Sequence, residues 1–554
     1  MRLSHLARAL AIVTTVLGLA ACGDDQKATT PIIDGTPPLL TTDSNFSDGY
    51  SAVAAVFVSG QVQDNSGIKS FTYQLNDEPV HTLKIDAEGY FNESIFLALG
   101  HNKITLEATD NAGNIMRSTK TIYLGDNIAA GGSHTAALRD GQLYSWGRNN
   151  YGQTGLGLTT KITDVMGHPD TPMLINNAPQ NLVSVSFNQN HSLSIDQNGQ
   201  VYSWGEDKYG QLGRGETGRN SCSQVEDCRL DISAIQGIED ALMVAAGYKH
   251  NLVLTKDGSV WAFGANDVGQ LGNDSAASTN GSSIPVKVDF SAATDIGHIV
   301  QVVASANSSY ALDDKGQVWG WGSDAYANFG KGEACTNAND CININATPVL
   351  INIIKNSQND DTQIADDSVA KEVEKVTQLA AGRDHVLALT NKESVYGWGL
   401  NATSQIGYNG ELFSDTEKAW DDIVATPTKL PWFEGKDIRR IYANGNASYA
   451  LLDDGKVYPW GMFGETNGAG KTIYNDLDEP TDKLPNLNNI DNMAMGAMHL
   501  IAHEKSLNQD NSPTLQYGSL FTWGWSFEGS LGNKDTTHVW MYNTPIPVNL
   551  PSQL

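Results

Sequence analysis

Seven times along the chain an aromatic residue, any residue, a second aromatic and a glycine follow one another. The copies are Tyr144 to Gly147, Tyr202 to Gly205, Trp261 to Gly264, Trp319 to Gly322, Tyr396 to Gly399, Tyr458 to Gly461 and Phe521 to Gly524. Aromatics at i and i+2 lie on one face of a β-strand, and the glycine suits a tight exit that a side chain would obstruct.

The surroundings recur too. A small-residue segment comes first, as in Ala129-Ala130-Gly131-Gly132-Ser133-His134 or Ala245-Ala246-Gly247-Tyr248-Lys249-His250, followed by a short apolar run. A turn dipeptide comes next: Asp140-Gly141, Asn198-Gly199, Asp257-Gly258 or Asp454-Gly455. Such dipeptides between apolar runs predict hairpins, because the turn needs positive φ. Downstream stands a version of Gly210-Gln211-Leu212-Gly213, and most copies end with a proline before an apolar strand. The signature glycines 147, 205, 264, 322, 399, 461 and 524 are 58, 59, 58, 77, 62 and 63 residues apart. Repeats of this length made of several short strands cannot bury their own faces and must stack on neighbours, which predicts a propeller or a solenoid.

The run Ala-Ala-Gly-x-x-His, x-Asp-Gly, Trp-Gly-x-Asn-x-x-Gly-Gln-Leu-Gly resembles the regulator of chromosome condensation repeat. The resemblance spans residues 125–554 and implies a seven-bladed β-propeller. Function does not follow from fold. The first repeat has no Pro-Val strand before it and the chain ends on a spare one, Thr544-Pro545-Ile546-Pro547-Val548. That strand is expected to complete the first blade and close the ring.

Ahead of the propeller the sequence divides into three parts. Residues 1–21 read as a leader: Arg2, His5 and Arg8, then an apolar stretch, then Leu19-Ala20-Ala21-Cys22. That end resembles the bacterial lipobox, which implies cleavage before Cys22 and a lipid on its sulfur. Gly23 stands where the inner-membrane retention aspartate would be, which points to the outer membrane. Residues 22–37 read as a linker. Residues 38–124 alternate short strands with turns such as Asp110-Asn111-Ala112-Gly113-Asn114, and predict a small immunoglobulin-like β-sandwich acting as a spacer or adhesive stalk. The fold class is therefore all-β throughout. At Asp110 and Asn114 a calcium role stands as the alternative to a satisfied turn.

Cys222 and Cys228, like Cys335 and Cys341, are separated by five residues with an aspartate before the second thiol. In an exported chain each pair predicts a local disulfide. Neither has the neighbouring histidines or two-residue spacing of a zinc site, so no metal is expected there.

The formal net charge of −28 repels phosphate backbones and argues against nucleic-acid partners. Histidine recurs at one repeat position, His134, His191, His250, His385 and His499, with serine expected there in the fourth blade (Ser308 or Ser309) and the sixth (Ser448). A group copied five times and replaceable by serine is a hydrogen-bonding strut rather than a catalyst. His503-Glu504 opens like a zinc-protease helix but lacks the second histidine. Catalytic residues and cofactors are not expected. Trp420, Trp432, Phe433 and Trp540 lie outside the repeat's own aromatic positions and are candidate partner anchors, with packing on their own blades as the alternative. The expected function is an exported, lipid-anchored protein-binding module. An inhibitor or regulator of an extracytoplasmic enzyme and a polysaccharide-active propeller are the alternatives. Nucleotide exchange, known in the family the repeats resemble, is disfavoured by export.

Overall fold

The computed structural model describes residues 34–43, 46–161, 167–215, 220–222, 225–274, 281–332, 344–354, 374–407, 423–461, 484, 487, 489–507, 513–514, 518–534 and 541–551. Cys22, Cys335, Cys341, Trp420, Trp540 and the side chain of Cys222 lie outside what is described.

Seven antiparallel sheets follow one another in sequence, and each is a blade. In the third, Ala241–Ala246, His250–Thr255, Val260–Ala265 and Gly281–Lys287 run from the centre outward. The sixth has three described strands, Ile438–Asn444, Ala447–Leu452 and Val457–Gly461. The second aromatic of every signature is fully buried: Trp146, Trp204, Phe263, Trp321, Trp398, Trp460 and Trp523. Each packs in a core shared by two blades; Trp398, for example, sits with Tyr310, Leu312 and Phe329 of the fourth.

The ring closes differently from the expectation. Met541–Val548 pairs with Leu520–Trp525, setting Phe521 opposite Pro547 and Thr522 opposite Ile546, so the last strand finishes the seventh blade. The first blade is finished by its own Met173–Leu174, with Ser145 opposite Met173. Closure instead rests on side chains and on a backbone bond from Ala497 N–H to Gly131 O at 3.0 Å. Trp146 Nε1 and Thr135 Oγ1 both donate to Ser530 O, at 2.9 and 2.8 Å. Ile128, Ala130 and Trp146 share a core with Ile501, Leu520 and Val548.

The N-terminal sandwich has one sheet of Leu39–Thr42, Ala55–Gln63 and Tyr90–Phe96. The other contains Gly49–Ser51, Ile115–Leu124, Gly100–Asp110, Ile68–Leu75 and His81–Thr82. It is no free stalk. Ala54 N–H donates to Val300 O at 2.6 Å and the Tyr123 hydroxyl to Val183 O at 3.0 Å. Asp48 O accepts from Arg439 Nη2 at 2.7 Å and from Lys505 Nζ at 3.3 Å. Val183, Val300 and Arg439 are each the extra residue of a β-bulge in an innermost strand. A bulge leaves one residue out of the ladder, which frees it for another partner. The sandwich thus covers the face on which every innermost strand begins, and Ala52 reaches the floor of the central channel.

Candidate functional site

The opposite face is uncovered by the sandwich, and the repeat motif builds it. After the signature glycines of the first five blades the chain forms a loop stapled by two side chains. The first is Asn or Asp: Asn149, Asp207, Asn266, Asp324 and Asn401 each accept a backbone N–H five residues on. The second is the Gln of Gly-Gln-Leu-Gly, whose side chain accepts the N–H two residues before it, as Gln153 does from Tyr151 and Gln211 from Tyr209 at 2.8 Å. Asn328 does the same for Tyr326 at 3.0 Å. The backbone carbonyl of that residue then accepts from the next blade's tryptophan, as Gln153 O does from Trp204 and Gln270 O from Trp321. These loops fix Tyr151, Tyr209 and Tyr326, half-buried, on the open face, where Tyr248 lines the channel mouth.

Below the mouth the channel is a cavity of about 230 Å³ walled by Ala245, Ala304, Ala381 and Ala443, with Asp126 and Arg440 at its floor. The amides of Gln301 and Gln378 each bridge to the next blade's innermost strand. Gln301 donates to Leu379 O at 3.0 Å and accepts Leu379 N at 2.7 Å. Gln378 does likewise with Ile441, at 2.8 and 3.0 Å. Arg440 Nη1 continues the belt to Asn492 at 2.8 Å, and Asn492 to Asn127 at 3.0 Å. No repeated sequence signal announces it, because the residue types differ from blade to blade.

On this face charged groups stand close to one another. Arg148 faces Glu528 at 3.4 Å, Arg383 faces Asp384 at 2.5 Å, and Glu206 accepts from Asn190 at 3.2 Å. Burial pushes the carboxyls of Glu206, Asp384 and Glu528 up from their ordinary range. Lys249 lies 4.7 Å and Lys208 5.5 Å from the Tyr209 ring centre. Carboxylates perturbed by burial among aromatics and cations mark functional-site candidates.

The repeated histidines are struts between blades. His134 Nε2 meets Ser192 at 3.1 Å, His191 meets Asn251 at 2.8 Å, His250 meets Ser309 at 2.9 Å and His385 meets Ser448 at 2.8 Å. His499 meets Thr135 at 2.7 Å, across the ring closure. All five are fully buried, and burial lowers their pKa: to about 4 in His191 and His499, to about 3 in His250 and His385, and well down in His134. Ser308 occupies the histidine position in the fourth blade, opposite Gly322. In the sixth the position belongs to Ala447, opposite Gly461, rather than to Ser448. Ser448 sits one residue on because it receives His385. His503 lies on a strand, paired at 2.6 Å with the buried Asp491.

Phe433 is 1% exposed and its ring centre lies 5.4 Å from that of Trp460, so it is core rather than an anchor. Trp432 is half-buried over Gly407 in the same cluster. Both follow from the turn Pro431–Phe433 folding into the core shared by the fifth and sixth blades. Cys228 is fully buried and disulfide-bonded. Asn114 donates to Asp110 from its backbone and its side chain, each at 2.7 Å, and that turn is satisfied. The carboxylates near Asp110 are those of Asp34 and Asp64, whose oxygens lie within 4.8 Å of it and of one another. Among the described residues, this is the set of side chains close enough together to hold a cation.

Residues 224–553 match the model of the RCC1-like domain, which is more than half of the chain. The chain belongs to the RCC1-like domain family. Two models of the regulator of chromosome condensation (RCC1) repeat match the start of this RCC1-like propeller, at residues 140–195 and at 126–153 and 182–211. Residues 38–125 match glucodextranase, domain B. The ultraviolet-B receptor UVR8 of Arabidopsis thaliana is 28% identical over 410 residues, covering 73% of this chain and 78% of that protein. Protein RCC2 of Homo sapiens is 29% identical over 280 residues, covering 49% of this chain and 48% of its own length. The chain thus spans about half of RCC2. Among solved structures, Prp20p of Saccharomyces cerevisiae, described with its binding to Gsp1p and histones, aligns at a TM-score of 0.56 with 20% identity. It covers 75% of this chain and 87% of its own. Human WBSCR16 aligns at 0.53 with 20% identity, over 74% and 94% of the two chains.

Proposed function

We propose that this RCC1-like chain is a non-enzymatic protein-binding module, held at the cell envelope by a lipid on Cys22, that meets its partner through the open face. One observation carries the reading: the chain's own sandwich occupies one face, and the tyrosines and charged pairs crowd the other. Tyr and Arg concentrate binding energy at protein interfaces. The binding of Prp20p to Gsp1p and histones gives a precedent on this fold, though neither partner is carried over. The basic-then-apolar leader ending in Leu19-Ala20-Ala21-Cys22 supports export and anchoring, with Gly23 favouring the outer membrane. Disulfides within each cysteine pair belong to the same reading.

Two experiments test it. Cross-linked pull-down from an envelope fraction is expected to recover a protein with the full chain and lose it with Tyr209→Ala/Tyr248→Ala/Tyr326→Ala. Recovery unchanged by those substitutions overturns the open face as the binding surface. Cys22→Ser is expected to shift the protein from the detergent to the aqueous phase. A mature N-terminus without lipid, by mass spectrometry, overturns the anchor.

A further inference from the structure

We infer that the open mouth is shaped for an acidic segment of the partner protein; this deepens the open-face reading and rests on it. In a chain of net charge −28 the mouth sorts its charges by depth. The Asp384 side chain is 14% exposed against 43% for Arg383, and that of Glu528 10% against 29% for Arg148. Lys208 is exposed while Glu206, two residues earlier, is half-buried. In each of these three cases the acid is sunk and the cation stands toward solvent.

The sinking has a structural cause. Glu206 ends a strand, Asp384 directly precedes one and Glu528 lies in a short turn, and each takes a hydrogen bond or ion pair from within the ring: Asn190 to Glu206, Arg383 to Asp384 and Arg148 to Glu528. The cations partnering them keep outward edges. A guanidinium carries five donors in a fixed fork, and one neighbouring carboxylate does not use them all. Lys208 and Lys249 converge on Tyr209 from two blades, presenting two ammonium groups around one ring. Carboxylates of a partner would find donors at each of these positions, and the tyrosine rings would supply apolar contact between them. Among the described residues, exposed Asp267 and Asp170, the latter beside Gly529, are carboxylates that oppose this pattern.

The cationic rim also differs from the buried cations of the covered face. Arg439 and Lys505 donate there to the backbone carbonyl of Asp48, inside the chain's own interface. Those of the rim stand where nothing in the described residues covers them. Charge pairing of this type sets encounter rate and specificity more than raw affinity, and salt screens it beyond about 8 Å at physiological ionic strength.

The test uses the full chain and three fluorescein-labelled probes: a decapeptide alternating glutamate and tyrosine, its lysine–tyrosine counterpart, and a single-stranded oligothymidylate. Fluorescence anisotropy at low salt is expected to show binding of the acidic peptide, and about tenfold weaker binding in the Lys208→Glu/Lys249→Glu variant and in Arg383→Glu, a change of about 1.4 kcal/mol. Lys456→Glu, on the covered side, is expected to leave binding unchanged. Equal binding of the lysine peptide, equal binding of the oligothymidylate, or indifference to charge reversal each overturns the inference. Self-association lost in the same double variant also overturns it, by making a second copy the occupant. Thermal melts confirm that the variants are folded. If Tyr209→Ala abolishes partner capture but charge reversal does not, the open face stands and the acidic partner falls.

Discussion

The molecule has two kinds of seam, and they are made of different chemistry. Between blades, neutral groups repeat: an imidazole to a hydroxyl, an indole to a carbonyl, a glycine-rich loop against the next blade. Between ring and sandwich nothing repeats. There a guanidinium, an ammonium and two carbonyls displaced by bulges each hold a different point. A seam made of identical copies fails everywhere under one stress, whereas a seam of unlike contacts fails point by point.

Acid offers the largest separation between the two. A histidine whose folded pKa is depressed is destabilising once the unfolded chain takes up the proton. The loss begins as pH falls below about 6.5 and continues down to the folded values. By about pH 5 each of the five struts would cost roughly 2 kcal/mol, and together roughly 10. Two terms oppose this. Burial raises Asp207 and Asp453 to about 6, and raises Asp126, Glu206, Asp313, Asp384 and Glu528 too, which favours the fold as pH falls. A net charge of −28 also relaxes on acidification. The imidazoles are displaced further from their ordinary value than the carboxyls, and that decides the sign, so urea midpoints are expected to fall between about pH 7 and about pH 5. His385→Gln is expected to remove about a fifth of that slope; a flat profile breaks the comparison.

The sandwich seam should answer instead to a single methyl group. Gly49 has φ +131, and a Cβ there would lie 1.5 Å from Arg439 Nη2. Gly49→Ala is therefore expected to expel the guanidinium from Asp48 and cost about 2–4 kcal/mol. Limited proteolysis should then cut between sandwich and ring before the ring itself melts. Unchanged cleavage would mean that the other contacts suffice.

The smallest expected effect lies in the amide belt. Gln378→Ala removes both bonds to Ile441 at one interface among seven, at a cost of about 1–2 kcal/mol in denaturant unfolding. A much larger loss would show that the belt acts as a unit.

The repeating seam was legible in the sequence because repetition itself is the signal. The seven signatures, the histidines and turns such as Gly141 at φ 71 and Gly258 at φ 79 recur in register and name their own places. The strand that finishes each blade was not. Pro545-Ile546-Pro547-Val548 states that a strand exists, and its neighbour is set by the route of the chain rather than by its residues. The sandwich seam left no trace either, since Val183, Val300 and Arg439 share a bulge that no common motif marks. At the candidate site the stapled loops could be read from Asn-x-x-Gly-Gln, while the depth sorting of its charges could not. Trp432 and Phe433 stood out as aromatics beyond the repeat, and a hydrophobic residue's type cannot distinguish an anchor from a core.

Because the first and the last blade are each finished by a strand of their own, the order of synthesis acquires a meaning. Domains of a nascent chain fold as they emerge, N-terminal first. A first blade completed by Met173–Leu174 has its full sheet long before the C-terminus exists, with no unpaired edge held open during the interval. The sandwich emerges earlier still, yet its anchors Val300, Arg439 and Lys505 are among the later residues made. The first part of the chain to fold is thus the last to be seated, and its docking reports that the ring is whole.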